Sequence, residues 1–577
     1  AKLLILAFLS AVFLTEQIYS RSARKNVCKY KKEDNVLSRV HCQRLCGRFC
    51  WRRAKPKRRD YYFDCCQGWT DKGRRGCRKR TCIALPQKVN KRLCPTARHQ
   101  GLNEQKEFYK LTTPPSQPLA YPHQSANLLE VVPFPLLNQS PLKVVQRSAL
   151  RSDLAEKSWL IRYLALVQRN RVLVKKTLES GKNHPFTNYL DYAKLLKGFR
   201  DEQPKTIDSF KLPGMDKTYN SITMDKYMKY PSQELPFKDI IANEAWQNDD
   251  VFTQQRLAGL NTMSLRKMKS IDFNQDFVNK NYDWDGAMQR ASGEETATFS
   301  KMIDAGRVFI IEYKLLHGLS NVEDYTERNT TDSREMEKSR SPFCTFVLAN
   351  SKRAKELKPV AIQTDLTKDA PVFSPVDGLK WLKAKMLIQR ADLVYTELIE
   401  HLLKTHFLME PICVIMRRTL SVFHPLHQIF RWHCRGLFVT NSLGLGALLN
   451  KGEFSHTLFA IGHVGAVQLL KKAYPDLSWA DTEFDKNLEK RGVHKVEDLP
   501  YFPYRDDGLL IWEEVGAFAE DYVKLYYLED RDVDEDYELR NFATQLSADG
   551  SGANSGIGMF KQFPAVIKNR FELIDVV

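Results

Sequence analysis

Seven of the thirteen histidines in this 577-residue chain fall within a stretch of 63 residues. They are His401, His406, His424, His427, His433, His456 and His463. Neutral imidazole is a ligand that iron, zinc and copper all accept, and a cluster in an apolar helical region is suited to a nonheme metal site. The competing interpretation is that each is a buried histidine hydrogen-bonded to a carbonyl or carboxylate, which is the commoner situation for a single histidine.

The spacing of His401 and His406 adds a geometric constraint. Residues five apart lie about 140° apart on an ideal α-helix, because each residue advances the helix by about 100°. A helix that widens to i→i+5 hydrogen bonding would bring both onto one face, and such π-bulges are associated with functional sites. Glu397 precedes His401 by four residues and Glu410 follows His406 by four, so each carboxylate shares a face with one histidine. If the helix widens in this way, both imidazoles lie on one face, and each has a possible carboxylate partner.

Other catalytic chemistries lack their motifs. The chain contains neither GxxxxGK[ST], which would cradle a phosphate, nor the GxSxG nucleophile elbow. Neither phosphoryl transfer nor acyl transfer is therefore indicated.

The elements that must position these histidines are predicted to be helices. Apolar residues at three- and four-residue spacing predict long helices between Leu379 and Leu449, with a boundary at Pro425, and another helix over Leu509–Tyr527. Short strand candidates are few, namely Phe309–Ile311 and Phe346–Leu348. The fold class is therefore mainly α.

The three cysteines of this region are too far apart in sequence to suggest a disulfide scaffold; they are Cys344, Cys413 and Cys434.

Several strings of residues occur in a recognisable order. They are Phe252-Thr-Gln-Gln-Arg-Leu-Ala-Gly-Leu-Asn261, Pro359-Val-Ala-Ile-Gln363, Trp381-Leu-Lys-Ala-Lys385, Glu397-Leu-Ile-Glu-His401-Leu-Leu-Lys-Thr-His406-Phe-Leu-Met-Glu410, His424-Pro-Leu-His-Gln-Ile-Phe-Arg-Trp-His433, and Tyr501-Phe-Pro-Tyr-Arg-Asp-Asp-Gly508, the last expected as a turn before a helix. Over about residues 185–577 the chain resembles the animal lipoxygenases. The resemblance implies a mainly helical domain that holds one nonheme iron and converts polyunsaturated fatty acids to hydroperoxides.

The resemblance also implies a set of site residues. By this resemblance, Thr396 occupies the first iron-ligand position and His401 the second. His406 falls outside the ligands and is expected, with Glu397 and Glu410, to support them. The remaining ligands correspond to positions beyond Val577. With His401 as the one matching ligand, we predict that the chain as written is truncated and inactive as a lipoxygenase.

The net charge of +19 belongs to one short segment. Residues 21–100 hold 25 Lys and Arg against five Asp and Glu, a net +20, together with nine of the twelve cysteines. Such a segment is typical of a disulfide framework or a zinc module. Lys2 followed by the apolar run Leu3–Leu14 is typical of a signal peptide, which favours secretion and disulfides.

These features predict four segments: a signal peptide over 1–20, a basic cysteine-rich module over 21–100, a linker with entry helices over 101–184, and the lipoxygenase domain over 185–577. Because the basicity is confined to the secreted module, we expect contact with a polyanion such as a sulfated glycan, or with an anionic membrane surface, rather than with nucleic acid. The alternative function is a noncatalytic secreted protein that binds lipid and a polyanion.

Overall fold

The computed structural model of the chain describes a discontinuous set of residues, mostly C-terminal to position 245. They are 101–106, 111–112, 144–145, 245–320, 340–351, 355–438, 440–441, 448–449, 454–473, 476–547 and 562–577. The predicted signal peptide, the basic module of 21–100 and most of the predicted linker and entry helices of 101–184 lie outside these residues.

A five-stranded antiparallel sheet runs in chain order. Its strands are β3 (Arg266–Lys267), β4 (Val308–Glu312), β5 (Phe343–Asn350), β6 (Lys355–Gln363) and β7 (Val372–Phe373), while β1 (Leu111–Thr112) pairs with β2 (Val144–Val145) separately. The two predicted strands are confirmed, since they lie within β4 and β5. Side chains of β4 alternate between two cores, with Phe309 and Ile311 in one and Val308 and Ile310 in the other. A strand buried on both faces needs such a continuous apolar run.

Helices form most of the described structure, which confirms the mainly α class. They are α1 (Asp249–Ala258), α2 (Ser270–Phe273), α3 (Trp284–Ser292), α4 (Phe299–Asp304), α5 (Leu379–Tyr395), α6 (Met409–Thr419), α7 (Pro425–His433), α8 (Phe454–Leu458), α9 (Gly462–Ala473), α10 (Phe484–Arg491), α11 (Pro503–Tyr526), α12 (Asp530–Asp534), α13 (Tyr537–Leu546) and α14 (Arg570–Val576). Between α5 and α6 lies a π-helix, Thr396–Phe407.

The long helix α5 is anchored by a buried carboxylate. Asp392 Oδ2 lies 2.9 Å from Arg256 Nη1 of α1. Asp392 Oδ1 accepts hydrogen bonds from Asn261 Nδ2 at 2.6 Å and from Tyr313 Oη at 2.7 Å. The motif Phe252–Asn261 therefore supplies two of the groups that neutralise and satisfy this carboxylate, and so fixes the helix that leads into the π-helix.

The boundary predicted at Pro425 is confirmed. Pro425 is the first residue of α7, a position where its missing N–H leaves no hydrogen bond unmade. The preceding residue, His424, caps the helix by accepting a hydrogen bond from Leu426 N through Nδ1 at 3.2 Å. Its Nε2 lies 2.9 Å from Asp536 Oδ2, and both side chains are fully buried. This histidine therefore joins α7 to the start of α13.

Two of the three cysteines form a disulfide, although their separation in sequence suggested no disulfide scaffold. Cys413 on α6 and Cys434 at the end of α7 are joined, with Cα atoms 5.5 Å apart. Twenty-one residues separate them in sequence, but the turn between α6 and α7 brings the two helices side by side. Cys344 is a free buried thiol on β5.

The helix α11 begins earlier than predicted. The string Tyr504–Gly508, expected as a turn, is already helical because Pro503 starts the helix. Arg505 is buried and donates hydrogen bonds to the carbonyls of Leu499 at 2.8 Å and Lys495 at 3.0 Å.

Among the described residues, no helix is both long and apolar enough to cross a membrane.

Candidate metal centre

The segment Thr396–Phe407 is a π-helix, the widened form that would bring His401 and His406 onto one face. Leu408 N donates to Leu403 O at 3.0 Å, an i→i+5 bond of that helix. Four apolar side chains fix one face of the helix in the core; they are Leu398, Ile399, Leu402 and Leu403. The opposite face carries the two histidines, whose ring centroids are 4.9 Å apart at an interplanar angle of 74°.

The two histidines approach each other through their Nε2 atoms, which lie 3.2 Å apart. The outer nitrogen of His401, Nδ1, lies 3.1 Å from Glu397 Oε2. The outer nitrogen of His406, Nδ1, lies 2.8 Å from Asn441 Oδ1. Each ring is therefore oriented by an oxygen on one side and faces the other ring on its second side.

The environments of the two histidines differ. The side chain of His401 is 48% exposed, whereas His406 is half-buried. Burial lowers the pKa of His406, and the neighbouring His401 lowers it further against the opposing effects of Asn441 and Glu397. A lowered pKa keeps the imidazole neutral, the form in which its nitrogen can coordinate a metal.

Glu410 contacts Asn441, which in turn contacts His406. Asn441 Nδ2 donates to Glu410 Oε2 at 2.6 Å. Burial raises the pKa of Glu410 to about 7, although the hydrogen bond from Asn441 opposes that rise. The expected partnership between Glu410 and His406 is therefore indirect and runs through the amide.

Thr396 begins the π-helix, and its Oγ1 is buried without a hydrogen-bond partner. A neutral hydroxyl is a weak metal ligand beside imidazole. The structure brings the side chains of His401 and His406 together, whereas the hydroxyl of Thr396 makes no hydrogen bond with His401.

The remaining histidines of the cluster make other contacts. His427 Nδ1 lies 2.9 Å from Leu420 O, His456 Nδ1 lies 3.1 Å from His463 Nδ1, and His433 is exposed. Across the part of the chain that the structure describes, no group of three or more His, Cys, Asp or Glu side chains could hold a metal ion. The described residues therefore provide at most a two-imidazole half-site.

Asn441 is the site residue that sequence reasoning missed. It lies 35 positions after His406, beyond α7, so no helical periodicity relates the two residues. An isolated asparagine carries no compositional signal for a role beside a histidine.

Comparison with known proteins identifies the family. The sequence model named lipoxygenase matches residues 151–566, and so begins within the stretch that sequence reasoning assigned to a linker and entry helices. The mouse arachidonate 12-lipoxygenase, 12R-type, is 27% identical over 374 residues, which are 64% of this chain and 50% of that protein. The allene oxide synthase-lipoxygenase protein of Plexaura homomalla is 25% identical over 350 residues, covering 58% of this chain and 32% of that one.

Solved structures agree at the level of the fold. Coral 8R-lipoxygenase superposes with a TM-score of 0.59 at 20% identity, covering 85% of this chain and 63% of the coral chain. A calcium-dependent 11R-lipoxygenase superposes with a TM-score of 0.57 at 22% identity, covering 85% of this chain and 62% of that chain. This chain spans about half the length of the 12R-type relative. Since the family model covers well over half of its residues, the chain belongs to the lipoxygenase family.

Proposed function

We propose that His401 and His406 supply two of the donors to a nonheme iron, in a centre of the kind that oxidises polyunsaturated fatty acids. The observation that carries the proposal is the 3.2 Å separation of the two Nε2 atoms. Two nitrogens that bind one transition metal at about 2.0–2.1 Å are expected at such a separation. Imidazole nitrogen suits iron, so the chemistry of the pair also fits.

Glu397 supports this assignment by fixing the tautomer of His401. A carboxylate oxygen accepts a hydrogen bond, so the contact at 3.1 Å places the proton of His401 on Nδ1. The lone pair of its Nε2 then points toward His406. Such a carboxylate behind a coordinating histidine is a frequent arrangement at metal sites, where it orients the ring and raises its basicity.

The same geometry favours His406, and not Thr396, as the second donor of this helix. The π-helical turn places the His406 ring against the His401 ring. Thr396 offers a neutral hydroxyl that is buried and unpartnered. The position expected to be the first ligand is therefore proposed to be structural.

In this proposal the residues of the chain hold and orient the donors, while a bound iron would supply one-electron oxidation of the substrate. His401 and His406 present neutral nitrogens, and the apolar face of the π-helix keeps the helix fixed in the core. The lowered pKa of His406 keeps that nitrogen unprotonated near neutral pH.

We further propose that the polypeptide of residues 1–577 does not turn over fatty acid. The described residues offer two imidazoles but no group of three or more His, Cys, Asp or Glu ligands, and two imidazoles leave most of an iron coordination sphere to water. Purified protein should contain much less than one iron per chain after dialysis and should form no conjugated diene hydroperoxide from arachidonate. Stoichiometric iron together with turnover would contradict this proposal.

A second candidate function is noncatalytic binding of lipid and a polyanion by a secreted protein. Its basis is the net charge of +20 in residues 21–100, while the disulfide between Cys413 and Cys434 supports an oxidising compartment. Retention on heparin should then depend on salt and disappear when residues 21–100 are deleted. Retention that survives the deletion would rule out this role for the basic module.

A further inference from the structure

We propose that Asn441 is a positioning residue for His406: its side-chain amide sets the tautomer and the ring orientation of that histidine. The inference rests on the proposed function in treating His406 as a donor. The contacts that carry it involve three groups, namely the His406 ring, the His406 carbonyl and the Glu410 carboxyl group.

The orientation of the Asn441 amide is fixed by its two acceptors. Nδ2 lies 3.2 Å from the backbone oxygen of His406 and 2.6 Å from Glu410 Oε2. A backbone carbonyl can only accept a hydrogen bond, so it requires the NH₂ group on that side whether Glu410 is protonated or ionised. The oxygen of the amide must therefore point the other way, toward the His406 ring.

The orientation of the amide then determines where the proton of His406 lies. Asn441 Oδ1 is 2.8 Å from His406 Nδ1, and an amide oxygen can only accept. Neutral His406 must therefore carry its proton on Nδ1. Its Nε2 presents a lone pair to His401 Nε2, 3.2 Å away, which is the arrangement that coordination requires.

Burial makes this control effective. Asn441 is 2% exposed and Glu410 is 8% exposed, so water does not readily replace the amide. The amide also ties the end of the π-helix to α6, where Glu410 lies in the first turn. Asn441 bonds both the ring and the backbone carbonyl of His406, so the ring has little freedom to rotate.

The test reads the tautomer directly in metal-free protein of the full chain. With ¹⁵N-labelled histidine, the ring nitrogen shifts of His406, assigned by its loss in His406→Gln, should show a protonated Nδ1 and an unprotonated Nε2 at pH 7.5. Asn441→Leu should lose this pattern, because leucine offers no acceptor to Nδ1–H. Wild-type protein with the proton on Nε2 would overturn the proposal, even if Asn441→Leu failed to fold.

A second readout separates this inference from the proposed function. Co²⁺ affinity should fall about 10- to 100-fold in Asn441→Leu, as is typical when a residue behind a metal ligand is lost. Wild-type protein that binds no Co²⁺ while showing the Nδ1–H tautomer would refute the metal proposal and leave the role of Asn441 intact. An Asn441→Leu protein that is folded and keeps the Nδ1–H tautomer would refute the role of Asn441.

Discussion

The Nε2 atoms of His401 and His406 face each other at 3.2 Å, while an oxygen accepts from the opposite side of each ring. Two neutral imidazoles held in this way direct lone pairs at each other. A cation or a shared proton between them removes the repulsion. In the proposed metal centre this cation is the metal ion that both nitrogens bind.

Replacing His401 with Gln should abolish metal binding with little effect on the metal-free fold. The His401 side chain is 48% exposed, so its loss should change the free energy of unfolding by less than about 0.5 kcal/mol. Co²⁺ at 100 times its Kd should stabilise wild-type protein by about 2.7 kcal/mol, and this gain should vanish in the variant. Denaturant titrations with and without Co²⁺ measure both quantities. His433→Gln, which changes an exposed histidine outside the pair, should keep the full gain, and a His401→Gln protein that keeps it would contradict the assignment.

Replacing Thr396 with Val tests whether that residue is a donor or a structural residue. Its Oγ1 is buried and unpartnered, so a methyl group of the same shape should raise the free energy of unfolding by about 1 kcal/mol. Affinity for Co²⁺ should not change. In the control Thr405→Val, loss of the hydrogen bond to His401 O should give no stabilisation. A tenfold loss of Co²⁺ affinity in Thr396→Val would instead show that Thr396 is a metal ligand.

The sequence predicted the local geometry of the site better than its long-range contacts. The five-residue spacing of His401 and His406 indicated that a widened helix would place both on one face, and the four-residue spacing of Glu397 indicated a possible contact with His401. Both are properties of one helix, which sequence spacing can express. Asn441 reaches His406 across 35 residues, and only the packing of α6 and α7 brings them together.

In the fold, too, the elements along the chain were predicted better than the contacts between them. Apolar runs predicted β4, β5 and the helices between Leu379 and Pro425, because burial of those elements requires continuous apolar residues. The disulfide was missed because the distance between Cys413 and Cys434 depends on the angle between two helices. The start of α11 was missed because the resemblance placed the Tyr-Arg-Asp-Asp-Gly string in a turn, whereas in the structure its buried Arg505 donates to carbonyls of the preceding loop and to the neighbouring Asp506 carboxylate.

Stability should depend on pH in a way that isolates Glu410. The pKa of its buried carboxyl group is about 7 in the folded protein, above its ordinary value of 4.5. Between these values the folded state keeps a proton that the unfolded state has lost, so this group stabilises fully below about pH 4.5 and its contribution disappears as the pH rises to about 7. In wild-type protein this group should lower the free energy of unfolding by at most about 3 kcal/mol over that pH range. Glu410→Gln should remove this decrease.

The lowered pKa of His406 acts in the opposite direction. The unfolded state binds the proton more readily, so this group stabilises above the unfolded pKa and its contribution is lost as the pH falls through 6.5 toward the folded value. Urea titrations at pH 5, 6, 7 and 8 should therefore show Glu410→Gln gaining stability with pH more steeply than wild type. Parallel curves for the two proteins would show that Glu410 does not titrate in this range.

The disulfide should contribute substantially to stability. Cys413 and Cys434 are 21 residues apart in sequence, and closing a loop of this size is worth about 3 kcal/mol. Cys413→Ala together with Cys434→Ala should lower the free energy of unfolding by about that amount and remove its sensitivity to dithiothreitol. Cys344→Ala, which removes the free thiol of β5, should leave the effect of the reductant unchanged. An equal response to reductant in the double variant and wild type would show that this bond is not the one being reduced.

The buried ion pair between Arg256 and Asp392 should contribute more to the free energy of unfolding than the more exposed pair between Lys267 and Asp498. Arg256 and Asp392 have side chains that are 1% and 10% exposed, whereas those of Lys267 and Asp498 are 24% and 33% exposed. Asp392→Asn leaves a buried guanidinium without its counter-charge, at a cost of about 3–5 kcal/mol, while Asp498→Asn should cost at most about 1 kcal/mol. Because Asp392 also accepts from Asn261 and Tyr313, its loss should loosen α5 just before the π-helix. Hydrogen exchange should then accelerate at Leu398–Leu403 in Asp392→Asn but not in Asp498→Asn, and equal exchange in both would show that α5 does not hold the π-helix in place.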